Sequence, residues 1–192
     1  MFKRTFFLYA ALPLLLLLAG CSQNNLRLIH VSPPQSTILA TGSPQVCVVK
    51  VADGRLLKDL GVRRNGTPYV ADDDVSGWVT HALATELMRH GIQVTTAQTE
   101  AEALQKAGGA SILTSKIEEI WLTEKSSTSY SCSMRISAAL KKDGKVLVSN
   151  SFNSSIERRV MPLSDVSEEM LKETLEELVR PVGLAVRQKL TP

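Results

Sequence analysis

The 192-residue sequence is short of the residue types that most metal and catalytic sites need. It has three histidines and three cysteines, and none of them follows a metal-ligand spacing. His81 and His90 are nine residues apart in one predicted helix, so they point to opposite sides of it. The chain also lacks a P-loop, a G-x-G-x-x-G loop and a G-x-S-x-G nucleophile motif. We therefore expect no metal, no cofactor and no catalytic activity.

An excess of one charge and a long hydrophobic run are missing as well. The formal net charge is +3, and it falls to +1 without residues 1–20, which contain Lys3 and Arg4 and no acid. A nearly neutral chain without a basic run lacks the electrostatic footprint of a nucleic-acid binder. After residue 20, no segment reaches the roughly 18 consecutive apolar residues of a membrane span. With 44% hydrophobic residues, the chain suits one globular domain, which we place at residues 45–192.

The N-terminus has the organisation of a bacterial secretion signal. The pair Lys3 and Arg4 precedes an apolar run, Phe6–Leu18, that is too short to span a bilayer. The sequence Leu18-Ala19-Gly20-Cys21 resembles the lipobox of bacterial lipoproteins. This resemblance implies removal of the signal, a diacylglycerol on the thiol of Cys21 and an N-linked acyl chain such as palmitate. Several acyl chains together anchor a protein stably in a membrane. The alternative is an ordinary secretory signal followed by a chance cysteine.

The residues after Cys21 indicate where the protein is held. Ser22 stands where an aspartate tends to retain enterobacterial lipoproteins in the inner membrane, and its presence favours the outer membrane. Residues 21–44 combine polar side chains with three prolines and show no periodicity, which predicts a flexible tether. Within the tether we expect a short extended piece at Leu26–Val31 to pack on the domain.

The rest of the chain predicts an α+β fold with the element order β-α-β-α-β-β-β-α. We expect a mainly antiparallel sheet with the helices packed on one of its faces. The predicted strands are Val46–Val51, Ile92–Thr96, Ser111–Leu122, Tyr130–Leu140 and Lys145–Ile156. The predicted helices are Val75–His90, a brief helix after Thr99, and Ser164–Leu190.

Local signals fix several of these boundaries. Asp74 is a plausible N-cap, Gly91 a helix stop, and Thr99 with Glu102 a capping box. Asn65-Gly66 and Asp143-Gly144 are typical of tight turns, and we expect residues 53–71 around the first of them to form a loop or a small hairpin. Pro181 should kink or break the last helix.

Three parts of the sequence together resemble the YajG-type family of enterobacterial and pseudomonad lipoproteins. They are the lipobox, Val31-Ser32-Pro33-Pro34, and a stretch whose matching residues are Val49, Val51, Asp53, Gly54, Arg55, Leu60, Gly61 and Arg63. The resemblance covers nearly all of the chain after the signal. It implies an outer-membrane lipoprotein that faces the periplasm of a Gram-negative bacterium. It implies no reaction, because the family has no established catalytic residues.

The most interesting polar set is Asp53, Arg55 and Arg63, which flank the end of a predicted buried strand. A guanidinium at such a place can hold a carboxylate or phosphate of a ligand. In the other interpretation, which we favour, Asp53 and Arg55 tie the loop to itself or to the strand end.

Four further residues are singled out by their positions. Glu86 falls within the apolar stripe of its helix, either as an exposed ion pair with Arg89 or His90 on the last turn or as part of an interaction surface. Trp121 is either a core or half-core residue, which we favour, or a contact anchor if it faces the solvent side of its strand. Cys47 and Cys132 either form a disulfide in the oxidising periplasm or remain buried free thiols.

Two functions from different classes remain. The first is a non-catalytic accessory lipoprotein, attached to outer-membrane lipid through Cys21, that binds another envelope protein or itself through its first long helix or exposed sheet face. The alternative is a binder of a small anionic envelope ligand, such as a peptidoglycan fragment, through Arg55 and Arg63.

Overall fold

The computed structural model describes residues 25–34, 42–106, 108–161 and 165–190, so Cys21 and the signal sequence lie outside the described residues. The strands are β1 Asn25–Leu26, β2 Gln45–Val49, β3 Ala52–Asp53, β4 Gly61–Val62, β5 Pro68–Ala71, β6 Gln93–Ala97, β7 Ser111–Ser126, β8 Ser129–Lys142 and β9 Lys145–Arg159. The helices are α1 Val75–Arg89, α2 Glu100–Lys106 and α3 Ser167–Leu190. None of these helices is long and apolar enough to cross a membrane.

The sheet is mixed, which corrects the prediction of a mainly antiparallel sheet. β2 lies between β6 and β7 and runs parallel to both. Only the second half of the chain, β7–β8–β9, forms the predicted antiparallel meander. α1 lies between β2 and β6 in the chain, and α2 between β6 and β7. A helical connection of this kind returns the chain to the same end of the sheet, so the strands that it joins run parallel.

The predicted element order is also incomplete, because it omits four short strands, of which β4 and β5 form the small hairpin that was one of the two predictions for residues 53–71. β7 is 16 residues long and pairs along one side first with β2, then with β3 and then with β4. β5 forms a small hairpin with β4 around Asn65-Gly66, the predicted tight turn, and β1 pairs in parallel with β5. β1, β3 and β4 have two residues each, which is too short to carry an alternating pattern, and the four residues of β5 begin with a proline.

The main core lies between one face of the sheet and the helices α1 and α3. α1 begins at the predicted N-cap, where the Asp74 side chain accepts a hydrogen bond from the Ser76 amide. Ten of its 15 residues are buried, because the N-terminal segment covers it as well as the sheet and α3. In that segment Leu28 and Val31 are buried, and the Trp78 indole donates a hydrogen bond to the Ile29 carbonyl. This part of the expected tether therefore packs on the domain.

A second, smaller core lies on the opposite face and corrects the expectation that all helices share one face. Its members are Cys47, Val49, Ala97, Ala103 and Ile112. Ala103 belongs to α2, so the short helix covers the face that α1 and α3 leave open. β2 is consequently buried on both faces, as predicted. The predicted N-cap of α2 is confirmed, since Thr99 Oγ1 accepts a hydrogen bond from the Glu102 amide, while the Glu102 carboxylate accepts one from the Gln98 amide.

Of two predictions for the C-terminal half, one is confirmed and one is wrong. The predicted Asp143-Gly144 turn is confirmed, with φ of +48° and +75°, and it brings Lys142 opposite Lys145. The prediction that Pro181 breaks the last helix is wrong, because α3 is continuous through this residue. Its neighbours Val179 and Val182 are buried in the core and hold the helix on the sheet across the proline.

Candidate functional site

The Asp53–Arg55 pair lies at the end of β3, where Asp53 is the last residue of the strand. Arg55 Nε donates to Asp53 Oδ1 over 2.9 Å, and Nη2 donates to Oδ2 over 3.0 Å. The third nitrogen, Nη1, donates to the Asp59 carbonyl over 3.3 Å. These hydrogen bonds, together with the charge of Arg55, lower the pKa of Asp53 to about 2. Since only 4% of the Arg55 side chain is exposed, its guanidinium is committed to the loop itself.

The rest of the motif that carries the family resemblance fastens the loop to β7. Gly61 has a φ of +148°, and a Cβ there would lie 1.8 Å from the Leu122 carbonyl oxygen. Only glycine allows the two backbones to approach so closely. The neighbouring Leu60 is fully buried, and the Gly54 amide donates to the Ile117 carbonyl over 3.0 Å. The presence of Gly54, Leu60 and Gly61 in this motif is therefore explained by the way the segment attaches to the sheet.

Arg63 does not share a site with this pair. Its guanidinium carbon lies 4.7 Å from the centre of the Tyr69 ring, and Nη2 lies 3.9 Å from Asp165 Oδ2. Tyr69 is in β5 and Asp165 precedes α3, so Arg63 links the small hairpin to the last helix. The structure thus divides the predicted polar set between two separate sets of contacts, and neither arginine presents a free guanidinium to a ligand.

The loop clamped by Asp53 displays two leucines, which the sequence analysis did not single out. Leu56 is 99% exposed and Leu57 is 61% exposed. On their C-terminal side, Lys58 Nζ contacts the Asp53 carbonyl and carboxylate, each at 3.2 Å. We call residues 55–58 the contact loop. The signal that could have found it is an apolar pair between two cations in a predicted loop.

Trp121 lies beside the contact loop on the outer face of β7. Its neighbours Ile120 and Leu122 are buried in the main core, while Trp121 itself is half-buried opposite Ser133. The contact loop and this tryptophan border a shallow hollow of ≈ 260 Å³, lined by Arg55, Leu56, Leu57, Glu118, Glu119, Ile120 and Trp121. This hollow is smaller than most small-molecule sites, which are about 300–1,000 Å³.

Glu86 has the predicted contacts with Arg89 and His90, but its carboxylate is buried and not exposed. It is only 5% exposed, with Arg89 Nη1 at 3.2 Å from one carboxylate oxygen and His90 Nε2 at 3.2 Å from the other. α3 covers this end of α1, and its Gly183 packs against Glu86 and His90. Glu86 is therefore a buried part of the contact between α1 and α3.

The two cysteines in the described residues are free and buried. Cys47 belongs to the small core with α2, whereas Cys132 belongs to the main core on the other face. β7 also separates their strands, so the side chains are too far apart to form the disulfide that was one possibility. Burial raises the pKa of the Cys132 thiol to about 11. Within the described part of the chain, no cluster of three histidine, cysteine or acidic side chains could hold a metal ion.

No family model and no curated protein matches this chain. Among solved structures, a DUF330 family protein from Xanthomonas campestris aligns over 85% of this chain and 97% of its own, with 12% identity and a TM-score of 0.57. A second, described as an uncharacterized protein, aligns over 87% of this chain and 99% of its own, with 12% identity and a TM-score of 0.52. These likenesses show the fold. Lipoprotein GNA1162 from Neisseria meningitidis aligns over 73% of this chain and 99% of its own, with 14% identity and a TM-score of 0.43.

Proposed function

We propose that this protein is a lipid-anchored accessory lipoprotein without catalytic activity, which faces the periplasm from the outer membrane and binds an envelope protein. The observation that carries the proposal is the contact loop, where two exposed leucines are displayed on a rigid base. Burying one leucine against a partner is worth about 1.5–3 kcal/mol. Because the loop is already ordered by Asp53 and Lys58, binding costs little additional conformational entropy.

The lipid anchor rests on the lipobox and on where the chain enters the domain. Asn25 already pairs with Val70, so only residues 22–24 separate Cys21 from β1. Four residue steps span at most about 14 Å. Acyl chains on Cys21 therefore hold this end of the domain close to the membrane surface, and residues 25–31 belong to the domain.

Two other surfaces are less suited to the role. α1, which the sequence analysis offered as a contact surface, is covered by the sheet, α3 and the N-terminal segment. An anionic ligand would have to displace Asp53 from Arg55 or Asp165 from Arg63. The exposed leucines beside Trp121 favour an apolar protein surface as the partner.

The test is affinity capture of the full-length lipidated protein after mild crosslinking in intact cells. We compare the wild type with Leu56→Asp/Leu57→Asp and with the matched control Leu104→Asp, which changes a 66% exposed leucine of α2. The wild type and the control should capture the same envelope protein in near-stoichiometric amount, and the loop variant should lose it. Capture that survives the loop variant contradicts the proposal, as does muropeptide binding that depends on Arg55. Circular dichroism and urea midpoints verify that all three proteins fold.

The anchor has a separate readout. Intact mass should show acylation of Cys21 in the wild type, and Cys21→Ser should leave a protein that no longer fractionates with membranes. An unmodified cysteine in the mature wild type would contradict the lipid anchor.

A further inference from the structure

The outer edge of β9 is the long free edge of the sheet. β9 is 15 residues long and pairs only with β8, and no described strand lies along its other side. None of the backbone hydrogen bonds made by turns and loops in the described residues uses β9. A row of unpaired N–H and C=O groups is a template on which another strand can add.

The middle of this edge lacks the features that usually prevent such pairing. Edge strands are normally protected by charged side chains, prolines, bulges or short length. The nine residues Val148–Ile156 contain no charge, no proline and no glycine. Protection begins just outside them, with an irregularity at Leu147 on one side and the charged run Glu157-Arg158-Arg159 on the other. The unprotected window is therefore sharply bounded.

This window is chemically symmetric about Phe152. Placed antiparallel to a second copy of itself with Phe152 at the centre, it pairs apolar with apolar and small polar with small polar residues. The cross-strand pairs are Val148 with Ile156, Ser149 with Ser155, Asn150 with Ser154, Ser151 with Asn153, and Phe152 with itself. Paired residues are on the same face in this register, as an antiparallel sheet requires.

From this symmetry we propose that two copies of the protein join through β9 into one continuous sheet, with the two-fold axis at Phe152. Phe152 and Ile156 are only partly buried against the main core, and the second copy covers what remains exposed. α3 lies over β8 and β9 in each copy, held by contacts such as Ser154 Oγ to Glu177 at 3.2 Å. Neighbouring strands are about 4.8 Å apart, so the axes of two helices that each lie over β8 and β9 would be roughly 10–14 Å apart across the two-fold axis. Packed helices need about 8–10 Å between their axes, so there is room for both.

The inference does not depend on the contact loop. Residues 55–58 lie beside β7, on the other side of β8 from the β9 edge. A dimer that persists in Leu56→Asp/Leu57→Asp while partner capture is lost would separate the two interfaces. Conversely, charged substitutions in β9 that abolish the dimer but leave partner capture intact would show that the contact loop works without the dimer.

The first test introduces charges into one cross-strand pair in the full-length protein in detergent. Ser151 and Asn153 are both exposed. In the proposed register, Ser151 of each copy faces Asn153 of the other copy. Ser151→Lys/Asn153→Lys places like charges opposite each other twice, whereas Ser151→Glu/Asn153→Lys places opposite charges there. We expect a dimeric mass for the wild type and a dissociation constant roughly tenfold larger for the first variant than for the second. A wild type that is monomeric at about 100 μM, or equal masses for both variants, overturns the proposal.

The second test fixes the register. Ser151→Cys/Asn153→Cys should form an interchain disulfide on mild oxidation, because the two positions face each other across the two-fold axis. Ser149→Cys/Asn153→Cys is the matched control. It should crosslink poorly, because in the proposed register position 149 faces position 155 of the second copy and position 153 faces position 151. The native Cys47 and Cys132 are fully buried and do not compete. Equal crosslinking of the two variants rejects the register centred on Phe152.

Discussion

Replacing Asp53 with alanine tests whether the Asp53–Arg55 pair holds the contact loop. The change leaves a guanidinium that is 4% exposed without its carboxylate, and removal of one partner of a buried ion pair costs about 3–5 kcal/mol. Asp53 is itself 22% exposed, so water can enter, and the lower end, about 3 kcal/mol, applies. Arg55→Ala should cost less, about 1–2 kcal/mol, because Asp53 keeps Lys58 and contact with solvent.

The double variant Asp53→Ala/Arg55→Ala completes the cycle. It removes both charges together, so no buried charge is left unpaired, and its cost should be about 2 kcal/mol below the sum of the single costs. The assay is urea unfolding of all four proteins at neutral pH, with the slope checked for constancy. Equal costs for the two single variants, or a double variant that is additive, would refute the claim that Arg55 is a buried group held by Asp53.

Three further predictions follow from the same structure. The stability that Asp53 contributes should be present above about pH 4 and lost as the pH falls through its folded pKa of about 2, so melting temperatures of the wild type and Asp53→Asn should converge across this range. Gly183→Ala should destabilise the protein by about 1–3 kcal/mol, because the new Cβ would lie 2.7 Å from His90 Cδ2. Urea unfolding measures this, and an unchanged midpoint would show that α1 and α3 separate easily. Cys132 should react with Ellman's reagent only after unfolding, because it is fully buried and its pKa is raised to about 11. Rapid labelling of Cys132 in the native protein at pH 8 would contradict this burial.

The elements that the sequence predicts correctly are those with strong local signals. Asp74 and Gly91 delimit α1, and the alternation in Tyr130–Leu140 identifies β8. The parallel pairing of β2 was missed because periodicity describes one strand and does not say which strand lies beside it. It could have been inferred from the helices that separate β2, β6 and β7 in the chain.

The candidate site was only partly accessible to sequence reasoning. The Asp53–Arg55 contact is local, over two residues, and one interpretation anticipated it. The position of Arg63 and the burial of Glu86 depend on α3, which is about one hundred residues further along the chain. The exposure of Leu56 is also a tertiary property, because an apolar residue in a loop can equally well fold back onto the core.

The central claim is that the contact loop binds an envelope protein, and site-specific photocrosslinking tests it most directly. A photoreactive amino acid is placed at position 56 of the full-length lipidated protein in living cells, and at position 104 as the equally apolar, exposed control. We expect one dominant crosslinked envelope protein from position 56 and none from position 104. No crosslink at position 56, or the same products from both positions, would contradict it.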